Sequence, residues 1–163
     1  MEGGGYMIEF QDISFSYPEG TEGGLKNINL TIPDGQCVLF CGQSGCGKTT
    51  LTRLVNGLIP QFFDGELTGN VLFNGENLFN VPMYQIAEKV GSVFQNPRTQ
   101  FFNVDTDSEI VFGLENEAVP QEELKSSVME TAKSLHIESL LGRNIFALSG
   151  GEKQKIAFAS VYA

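Results

Sequence analysis

The sequence predicts an α/β fold in which a mostly parallel sheet forms the core, with an antiparallel β flank before it and a helical subdomain after it. Three patterns lead to this prediction. Apolar residues alternate with polar ones as far as residue 32, which is typical of half-exposed strands. A continuous apolar run then leads into a glycine-rich loop and a helix, the order expected around a strand covered on both faces. From about residue 100 onward, apolar residues recur at helical spacing.

The antiparallel flank begins with two alternating segments. Apolar residues alternate from residue 8 to Tyr17, but the alternation changes phase at Gln11 and Asp12, which indicates a bulged strand. The alternation resumes at Ile28 and continues to Ile32, just before a Pro-Asp-Gly turn. We therefore expect two antiparallel strands ahead of the core.

The core elements follow the turn. Residues 37–41 read CVLFC, a continuous apolar run that predicts a buried strand, and residues 50–58 predict a helix. Residues 71–73 and 90–94 are further strand candidates, with a short helix at residues 83–88 between them. Because helices connect these strands, we expect most of the sheet to be parallel.

The region from about residue 100 onward predicts helices. Thr106 and Glu109 have capping-box spacing ahead of an apolar run, which indicates a helix start. Pro120 opens a longer helix. The apolar face of this helix is formed by Leu124, Val128 and Leu135.

The charge balance excludes some partners. The chain has 163 residues, the size of one domain, and its 20 acidic residues against 10 basic ones give a formal net charge of -10. Sequence-independent binding to nucleic acid needs a basic surface, so we expect no nucleic-acid partner. Between Asp105 and Glu123 there are seven acidic residues and no Lys or Arg, which would repel anionic lipid. Any association with a membrane would therefore require a protein partner.

The sequence carries no sign of export or of a membrane span. No apolar run reaches the roughly 18 residues of a transmembrane helix, and the start, MEGGGYMIEF, lacks the basic and apolar parts of a signal peptide. Cys37, Cys41 and Cys46 have neither the spacing of a zinc site nor an even number for disulfides, so reduced thiols are expected. The prediction is a cytosolic chain.

Residues 42–50 read GQSGCGKTT and match the phosphate-binding pattern of Gly, four residues, Gly, Lys and Ser/Thr. Glycines let successive N–H groups turn inward around an anion, and the following helix adds the positive end of its dipole. In this interpretation Lys48 reaches the terminal phosphates, the Thr49 hydroxyl binds Mg2+ and Thr50 contacts an inner phosphate. The predicted binding residues are Gly42, Gln43, Ser44, Gly45, Cys46, Gly47, Lys48, Thr49 and Thr50.

Two features of this loop have a second interpretation. The motif is also compatible with a glycine-rich turn that carries an accidental lysine, although it lies between a predicted strand and a predicted helix, as a phosphate loop requires. Cys46 occupies a variable position of the motif. It is therefore either a reactive thiol beside the nucleotide or a filler residue.

A second glycine motif, LSGGEKQK, begins at Leu148 and opens the last predicted helix. Ser149 and Glu152 form a capping box, which accounts for these two residues without any ligand. It does not account for Gly150 and Gly151, because a glycine in a helical turn costs up to about 1 kcal/mol relative to alanine. Exposed N–H groups at a helix start would suit a phosphate that arrives from outside.

With these two motifs, the chain resembles the ATP-binding cassette (ABC) ATPases from about residue 7 to its last residue. The family signature reads LSGGQ and this chain has LSGGE, a difference at Glu152 that we expect to be tolerated. In that family two domains pair head to tail, and the signature of one binds the γ-phosphate of ATP held by the loop of the other. The resemblance therefore implies a second ATP-binding subunit, identical or different, and a role in trans for Ser149, Gly150 and Gly151.

Two more positions support the resemblance. FSYP places Tyr17 where the family has an aromatic that stacks on adenine, and VFQNP places Gln95 in the loop that reads the γ-phosphate and Mg2+. Lys48 and Gln95 are then the catalytic candidates, and Thr49 and Gln95 the metal ligands. The stretch QNPRTQFF is similar to energy-coupling-factor importer ATPases, which take up vitamins and transition-metal ions. It implies a docking site for an integral membrane subunit between Gln95 and Phe102.

The resemblance also implies that part of the family's machinery is absent. Family members continue past the signature helix into a strand ending Asp-Glu and then to a histidine, whereas this chain stops at Ala163 and has no Asp-Glu pair. His136 precedes the signature and cannot replace that histidine. We therefore expect a truncated ABC ATPase that binds ATP without hydrolysing it, since the second carboxylate for Mg2+ and the presumed catalytic base are absent.

The predicted organisation has three segments. Residues 1–6 are a flexible lead-in or residues added for expression, 7–99 an incomplete P-loop NTPase core that binds nucleotide, and 100–163 the helical subdomain with the signature helix. The predicted function is the ATP-binding subunit of an ABC importer, peripheral at the cytoplasmic face of the membrane. Two alternatives remain: a soluble ABC-type ATPase of DNA repair or translation, which the acidic charge disfavours, and a regulatory module that binds nucleotide without turnover.

Overall fold

The computed structural model describes residues 7–18, 24–116 and 118–163. The chain forms two compact units, the first ending at Val90 and the second beginning at Gly91. Each unit has a hydrophobic core of its own. The predicted lead-in at residues 1–6 lies outside the described residues, and the predicted division after residue 99 stays a prediction.

The first unit is built on a four-stranded sheet. Its strands are β1 (Ile8–Ser16), β2 (Leu25–Ile32), β3 (Glu66–Phe73) and β4 (Glu76–Asn77), and their order is β2-β1-β3-β4. Every pairing between neighbours in this sheet is antiparallel. The predicted antiparallel β flank is thereby confirmed, and it includes the strand predicted at residues 71–73.

β1 has a bulge where the alternation of the sequence changes phase. The register against β3 shifts between Gln11 and Ser14, and Asp12 has a φ of 51°. The Asp12 N–H donates to Asn29 Oδ1 at 2.9 Å, and Asn29 Nδ2 donates back to Asp12 Oδ1 at 2.8 Å. Gly69 packs against the bulge, where a Cβ would collide with the Gln11 carbonyl oxygen. The predicted bulge is confirmed.

Two predicted core strands are absent from the described residues. Residues 37–41 and 90–94 form no strand, and several of their apolar side chains are exposed, Leu39 to 83%. A strand needs a neighbour to receive its backbone hydrogen bonds, and neither segment pairs with one in the described part of the chain. These two strand predictions are wrong for this structure, and the parallel part of the predicted sheet is not seen among residues 7–18, 24–116 and 118–163.

Three helices complete the first unit: α1 (Lys48–Val55), α2 (Leu58–Gln61) and α3 (Met83–Lys89). α1 ends earlier than predicted because Asn56 caps it and Gly57 then turns the chain at a φ of 75°. The short helix predicted at residues 83–88 is confirmed as α3. The buried core of this unit consists of Phe10, Ile13, Phe15, Leu51, Leu54, Ile59, Val71, Phe73, Leu78, Val81 and Ile86.

The second unit is mostly helical, as predicted. Its helices are α4 (Thr106–Ile110), α5 (Phe112–Asn116), α6 (Gln121–Ser134) and α7 (Gly150–Tyr162). Single 3-10 turns lie at Pro97–Thr99, Glu138–Leu140 and Ile145–Ala147. Pro120 precedes α6, whose predicted apolar face packs on the core of this unit through Leu124, Val128 and Leu135. Across the three described ranges, no helix has the length and apolar content that a bilayer span requires.

α4 begins with a different cap from the one predicted. Asp105, and not Thr106, is its N-cap residue, and the Asp105 carboxylate accepts from the Ser108 N–H at 2.9 Å. This hydrogen bond lowers the pKa of Asp105. The buried Thr106 hydroxyl instead donates to the Leu140 carbonyl oxygen at 2.9 Å. The capping box predicted at residues 106–109 is therefore wrong, because its hydroxyl is engaged in the core.

Candidate functional site

A tight loop leads from residue 41 into α1 and carries the phosphate-binding pattern. Gly47 precedes α1 at a φ of 95°, a left-handed conformation that residues with a Cβ rarely adopt. A Cβ at Gly42 would lie 2.7 Å from Cys46 Sγ, so the exposed Cys46 side chain would have to move to make room for it. The glycine spacing thus produces a compact loop directly before a helix start, where N–H groups without intrahelical partners can bind an anion.

The Lys48 side chain folds back over this loop. Its Nζ donates to the carbonyl oxygens of Gly42 at 2.8 Å and Gln43 at 2.7 Å, and it lies 3.5 Å from Cys46 Sγ. These bonds hold the ammonium against the loop's own backbone. A full positive charge therefore lies beside the start of α1, where the helix dipole is also positive. Anionic oxygens are the ligands that such an arrangement favours.

Thr49 and Thr50 lie in the first turn of α1 and differ in their surroundings. Thr49 is exposed, whereas Thr50 is buried and its Oγ1 lies 3.2 Å from the Tyr17 hydroxyl oxygen. The structure therefore brings Tyr17, near the start of the chain, against the helix that follows the glycine loop. Tyr17 and the start of α1, which the sequence predicts as separate parts of the site, are therefore adjacent.

Tyr17 is held by two residues that sequence analysis missed. Arg53 NH1 donates to the Tyr17 hydroxyl at 2.9 Å, and the Arg53 guanidinium lies 4.0 Å from the Phe63 ring centroid. The Tyr17 ring is edge-on to Phe15 at 4.7 Å and to Phe63 at 6.4 Å between centroids. Helical spacing could have identified Arg53 as part of the site, because Arg53 follows Thr50 by three positions and lies on the same face of α1.

In the second unit, Gln95 is exposed and lies just before the 3-10 turn at Pro97–Thr99. Gln100, which follows this turn, makes two side-chain hydrogen bonds. Its Oε1 accepts from the Phe94 N–H at 3.0 Å, and its Nε2 donates to the Ala157 carbonyl oxygen at 3.2 Å. Gln100 therefore ties the residue before Gln95 to α7, a link for which the sequence gives no local signal.

The far end of the predicted docking stretch is fixed by a buried carboxylate. Glu109 is 2% exposed, and its Oε2 accepts from the N–H groups of Phe102 at 3.0 Å and Asn103 at 2.8 Å. Phe102 is itself 75% exposed and stacks on Phe112 with the ring centroids 4.8 Å apart. The stretch thus presents a large apolar side chain on a backbone that Glu109 holds in place.

The second glycine motif opens α7 as predicted. The Ser149 N–H donates to Glu152 Oε2 at 2.7 Å and the Glu152 N–H donates to Ser149 Oγ at 3.3 Å, so the capping box is confirmed. Hydrogen bonds with Ser149, and the Arg143 guanidinium 3.2 Å away, lower the pKa of Glu152. A Cβ added at Gly150 or Gly151 would meet no heavy atom within 4 Å. Packing therefore requires neither glycine.

Lys153 supports the start of α7 from within. Its side chain is buried, and its Nζ donates to the carbonyl oxygens of Leu148 at 2.7 Å and Phe146 at 3.3 Å. These charge-assisted hydrogen bonds fix the backbone just ahead of the signature. Sequence analysis missed Lys153 because a lysine is almost always a surface residue.

The predicted Mg2+ ligands Thr49 and Gln95 stay a prediction. The described residues contain no cluster of three His, Cys, Asp or Glu side chains that would hold a metal ion. Mg2+ commonly binds through one or two protein groups, phosphate oxygens and water, and the predicted ligands Thr49 and Gln95 are exposed residues that carry hard oxygen atoms. The cysteines Cys37, Cys41 and Cys46 are free and exposed, in agreement with reduced thiols.

The chain is similar to known ATP-binding proteins of transporters. A family model described as ABC transporter matches residues 25–163. An ABC transporter ATP-binding protein of Treponema denticola is 61% identical over 157 residues, which are 96% of this chain and 32% of that protein. The energy-coupling factor transporter ATP-binding protein EcfA1 of Ligilactobacillus salivarius is 39% identical over 159 residues, which are 98% of this chain and 55% of that protein.

The fold has a counterpart among solved structures. The cbiO1 protein of Clostridium perfringens, part of the ABC transporter complex cbiONQ, aligns with a TM-score of 0.82 and 29% identity over 96% of this chain and 61% of its own. The predicted fold class, a P-loop NTPase α/β fold with an antiparallel sheet and a helical part, is thereby confirmed. This chain spans about a third of the length of its Treponema denticola relative. With the family model covering most of its residues, the chain belongs to the ABC transporter family, as part of an ATP-binding domain.

Proposed function

We propose that the chain is the ATP-binding part of an ABC-type importer subunit, and that the whole protein uses ATP binding and hydrolysis to take up a vitamin or a metal ion. One observation supports this most directly: the Lys48 ammonium and the glycine loop lie at the start of α1, on the same helix that contacts Tyr17. The names of an energy-coupling factor relative and of a cbiO1 protein support the importer class.

Each residue of the site has a proposed role. Lys48 exchanges the loop carbonyls for the terminal phosphates of ATP, and Thr50 contacts an inner phosphate. Thr49 and Gln95 bind Mg2+, which neutralises charge on the phosphates, and Gln95 also reads the γ-phosphate. Tyr17 stacks on adenine. The backbone N–H groups that surround the phosphates belong to Gly42, Gln43, Ser44, Gly45, Cys46 and Gly47.

A second ATP-binding subunit, identical or different, completes the site in this proposal. Its ATP would receive Ser149, Gly150 and Gly151 of this chain at the γ-phosphate. The open space around both glycines supports this role, because no described residue of the second unit would contact a Cβ at either position. The capping box and Lys153 fix the helix start in advance, which reduces the ordering cost of binding.

An integral membrane subunit is the other proposed partner, and it would hold the protein at the cytoplasmic face of the membrane. The proposed docking stretch lies between Gln95 and Phe102. Its support is the exposed Phe102 side chain on a backbone held by Glu109. In the whole protein, Phe102→Asp should abolish co-purification of the membrane subunit, whereas Phe62→Asp, at another exposed phenylalanine, should leave it unchanged. Retention of the membrane subunit by Phe102→Asp would exclude this docking site.

ATP binding by the 163-residue chain tests the central part of the proposal. Titration with a fluorescent ATP analogue and Mg2+ should saturate, and Lys48→Ala should weaken binding at least about tenfold, because it removes charge-assisted bonds to phosphate. Lys26→Ala removes the same charge from an exposed position of β2 and serves as the matched control. Equal affinity of the wild type and Lys48→Ala, or no binding by the wild type, would contradict the proposal.

A further inference from the structure

We propose that Arg53 is a positioning residue for nucleobase recognition, which acts by holding the Tyr17 ring at the angle needed to stack on a purine. This inference rests on the proposed ATP site and adds to it a residue that neither the phosphate loop nor the signature contains. Arg53 lies on α1 and its NH1 donates to the Tyr17 hydroxyl at 2.9 Å.

Tyr17 needs such support because of its place in the chain. It directly follows β1, which ends at Ser16, so it lies outside the strand. Its ring is instead located by side-chain contacts at both ends. The hydroxyl meets Thr50 Oγ1 and Arg53 NH1, and the ring packs edge-on against Phe15 and Phe63. A stacking surface has to be presented at one tilt, since a ring that rotates loses stacking energy.

Arg53 is itself well placed to be a rigid support. Its guanidinium lies 4.0 Å from the Phe63 ring centroid, a cation–π distance, and it is partly buried. A carboxylate is the common partner of an arginine, but in the described part of the chain the ion pairs involve Lys89 and Arg143 and not Arg53. Arg53 donates instead to the Tyr17 hydroxyl. A planar guanidinium stacked on one ring and bonded to another fixes their relative orientation.

The arrangement also connects the base site to the phosphate site. Thr50, Arg53 and the loop residue Lys48 all lie on α1, and Thr50 and Arg53 both contact the Tyr17 hydroxyl. Loss of the Arg53 contact should therefore weaken recognition of the base while the phosphate loop keeps its own bonds. This separation gives the proposal a readout that a general loss of stability would not produce.

Calorimetric titration with ATP and with inorganic tripolyphosphate provides the test. We expect Arg53→Met to weaken ATP binding by about 3- to 10-fold and to change tripolyphosphate binding less than about twofold, because tripolyphosphate has no base to stack. Tyr17→Phe, which removes one oxygen atom, should give a similar base-specific loss. The losses in the double variant should be less than additive, since both single variants break the hydrogen bond between Arg53 and Tyr17.

Two further variants sharpen the comparison. Arg53→Lys keeps the charge and should restore part of the ATP affinity, while Lys26→Met, which removes an exposed cation of β2, is the matched control and should bind both ligands as the wild type does. If Arg53→Met does not fold, as judged by circular dichroism, Arg53→Lys and Tyr17→Phe are compared instead. A base-specific loss in both supports the role of Arg53, and a loss in Tyr17→Phe alone assigns the effect to the Thr50 contact.

The outcomes separate this inference from the proposed function. Failure of the wild-type chain to bind either ATP or tripolyphosphate would refute the phosphate site itself. If the wild type binds both ligands, three results would overturn the role of Arg53 alone. Arg53→Met could weaken ATP and tripolyphosphate binding equally, it could weaken neither, or the losses in the double variant could be additive.

Discussion

Glu109 shows how a single buried side chain can order an exposed segment. Its carboxylate accepts two backbone N–H groups, at Phe102 and Asn103, and both bonds are made by the same oxygen. We expect Glu109→Ala to lower the free energy of unfolding by about 1–3 kcal/mol, because two partly buried backbone N–H groups lose their acceptor. Urea denaturation measures this loss. Glu130→Ala, at an exposed position of α6, is the matched control, and equal stability of the two variants would show that Glu109 is dispensable.

The Asp105 cap should make the stability of α4 depend on pH. The hydrogen bond from the Ser108 N–H lowers the pKa of Asp105 below its ordinary value of 3.8. A group with a lowered folded-state pKa stabilises the fold above its unfolded pKa, and that contribution is lost as the pH falls through the folded-state value. We therefore expect Asp105→Ala to cost about 1 kcal/mol at pH 7 and progressively less below pH 3.8.

Thermal melts at a series of pH values would test this prediction. Asp34→Ala, which removes an exposed acid from a turn, controls for the general effect of charge. A difference between Asp105→Ala and the wild type that persists unchanged in acid would rule out the carboxylate as the cap.

The α4 cap also shows the limit of sequence reasoning about single residues. Asp105 and Thr106 are both good caps, and the spacing to Glu109 favoured Thr106. Asp105 becomes the cap because the Thr106 hydroxyl donates to the carbonyl oxygen of Leu140, which is 34 residues away in the sequence. The Ser149 capping box was predictable because both of its partners lie within four residues. Arg53 was not predicted because its partner Tyr17 is 36 residues away in the sequence, and Lys153 because a lysine is rarely buried.

At the scale of elements, Gln100 connects the 3-10 turn after Gln95 with α7. We expect Gln100→Ala to speed hydrogen exchange at the Phe94 amide by about tenfold or more, because that N–H loses its acceptor. Gln100→Glu keeps an acceptor for Phe94 and lacks the donor for Ala157, so it should protect the amide better than alanine does. Exchange measured by NMR provides the comparison.

An exposed glutamine on the same helix supplies the control for this link. Gln154→Ala changes a solvent-facing side chain of α7 and should leave the Phe94 amide at the wild-type rate. Unchanged Phe94 exchange in Gln100→Ala would mean that the side-chain bridge does not persist in solution.

Elements were predictable where their partners are local. β1 and β2 show alternation, and the bulge of β1 follows from the phase change at Asp12. The helices follow from caps and periodicity, as the apolar face of α6 shows. Residues 37–41 have the composition of a buried strand, yet they form none here. Composition predicts that a segment should be covered, but it cannot supply the neighbouring strand that covers it.

For the whole molecule, the net charge of -10 should slow the approach of nucleotide. Mg-ATP is an anion, so long-range repulsion lowers its association rate, and added salt screens that repulsion. We expect the association rate measured by stopped-flow fluorescence to rise with ionic strength. The variant Glu122→Gln/Glu123→Gln, with a net charge of -8 (-10 plus 2), should show a smaller rise. A rate that falls with salt would mean that the local field of the loop governs approach as well as binding.

The bonds between Lys48 and its own loop have a consequence for the entry of a ligand. An ammonium in open solvent must shed its water before it can grip a phosphate, whereas this one has already replaced water with the carbonyl oxygens of Gly42 and Gln43. Triphosphate entry then exchanges these two carbonyl acceptors for phosphate oxygens, so folding has already displaced part of the water around the ammonium. The Lys48 charge is held beside the start of α1 before any ligand arrives.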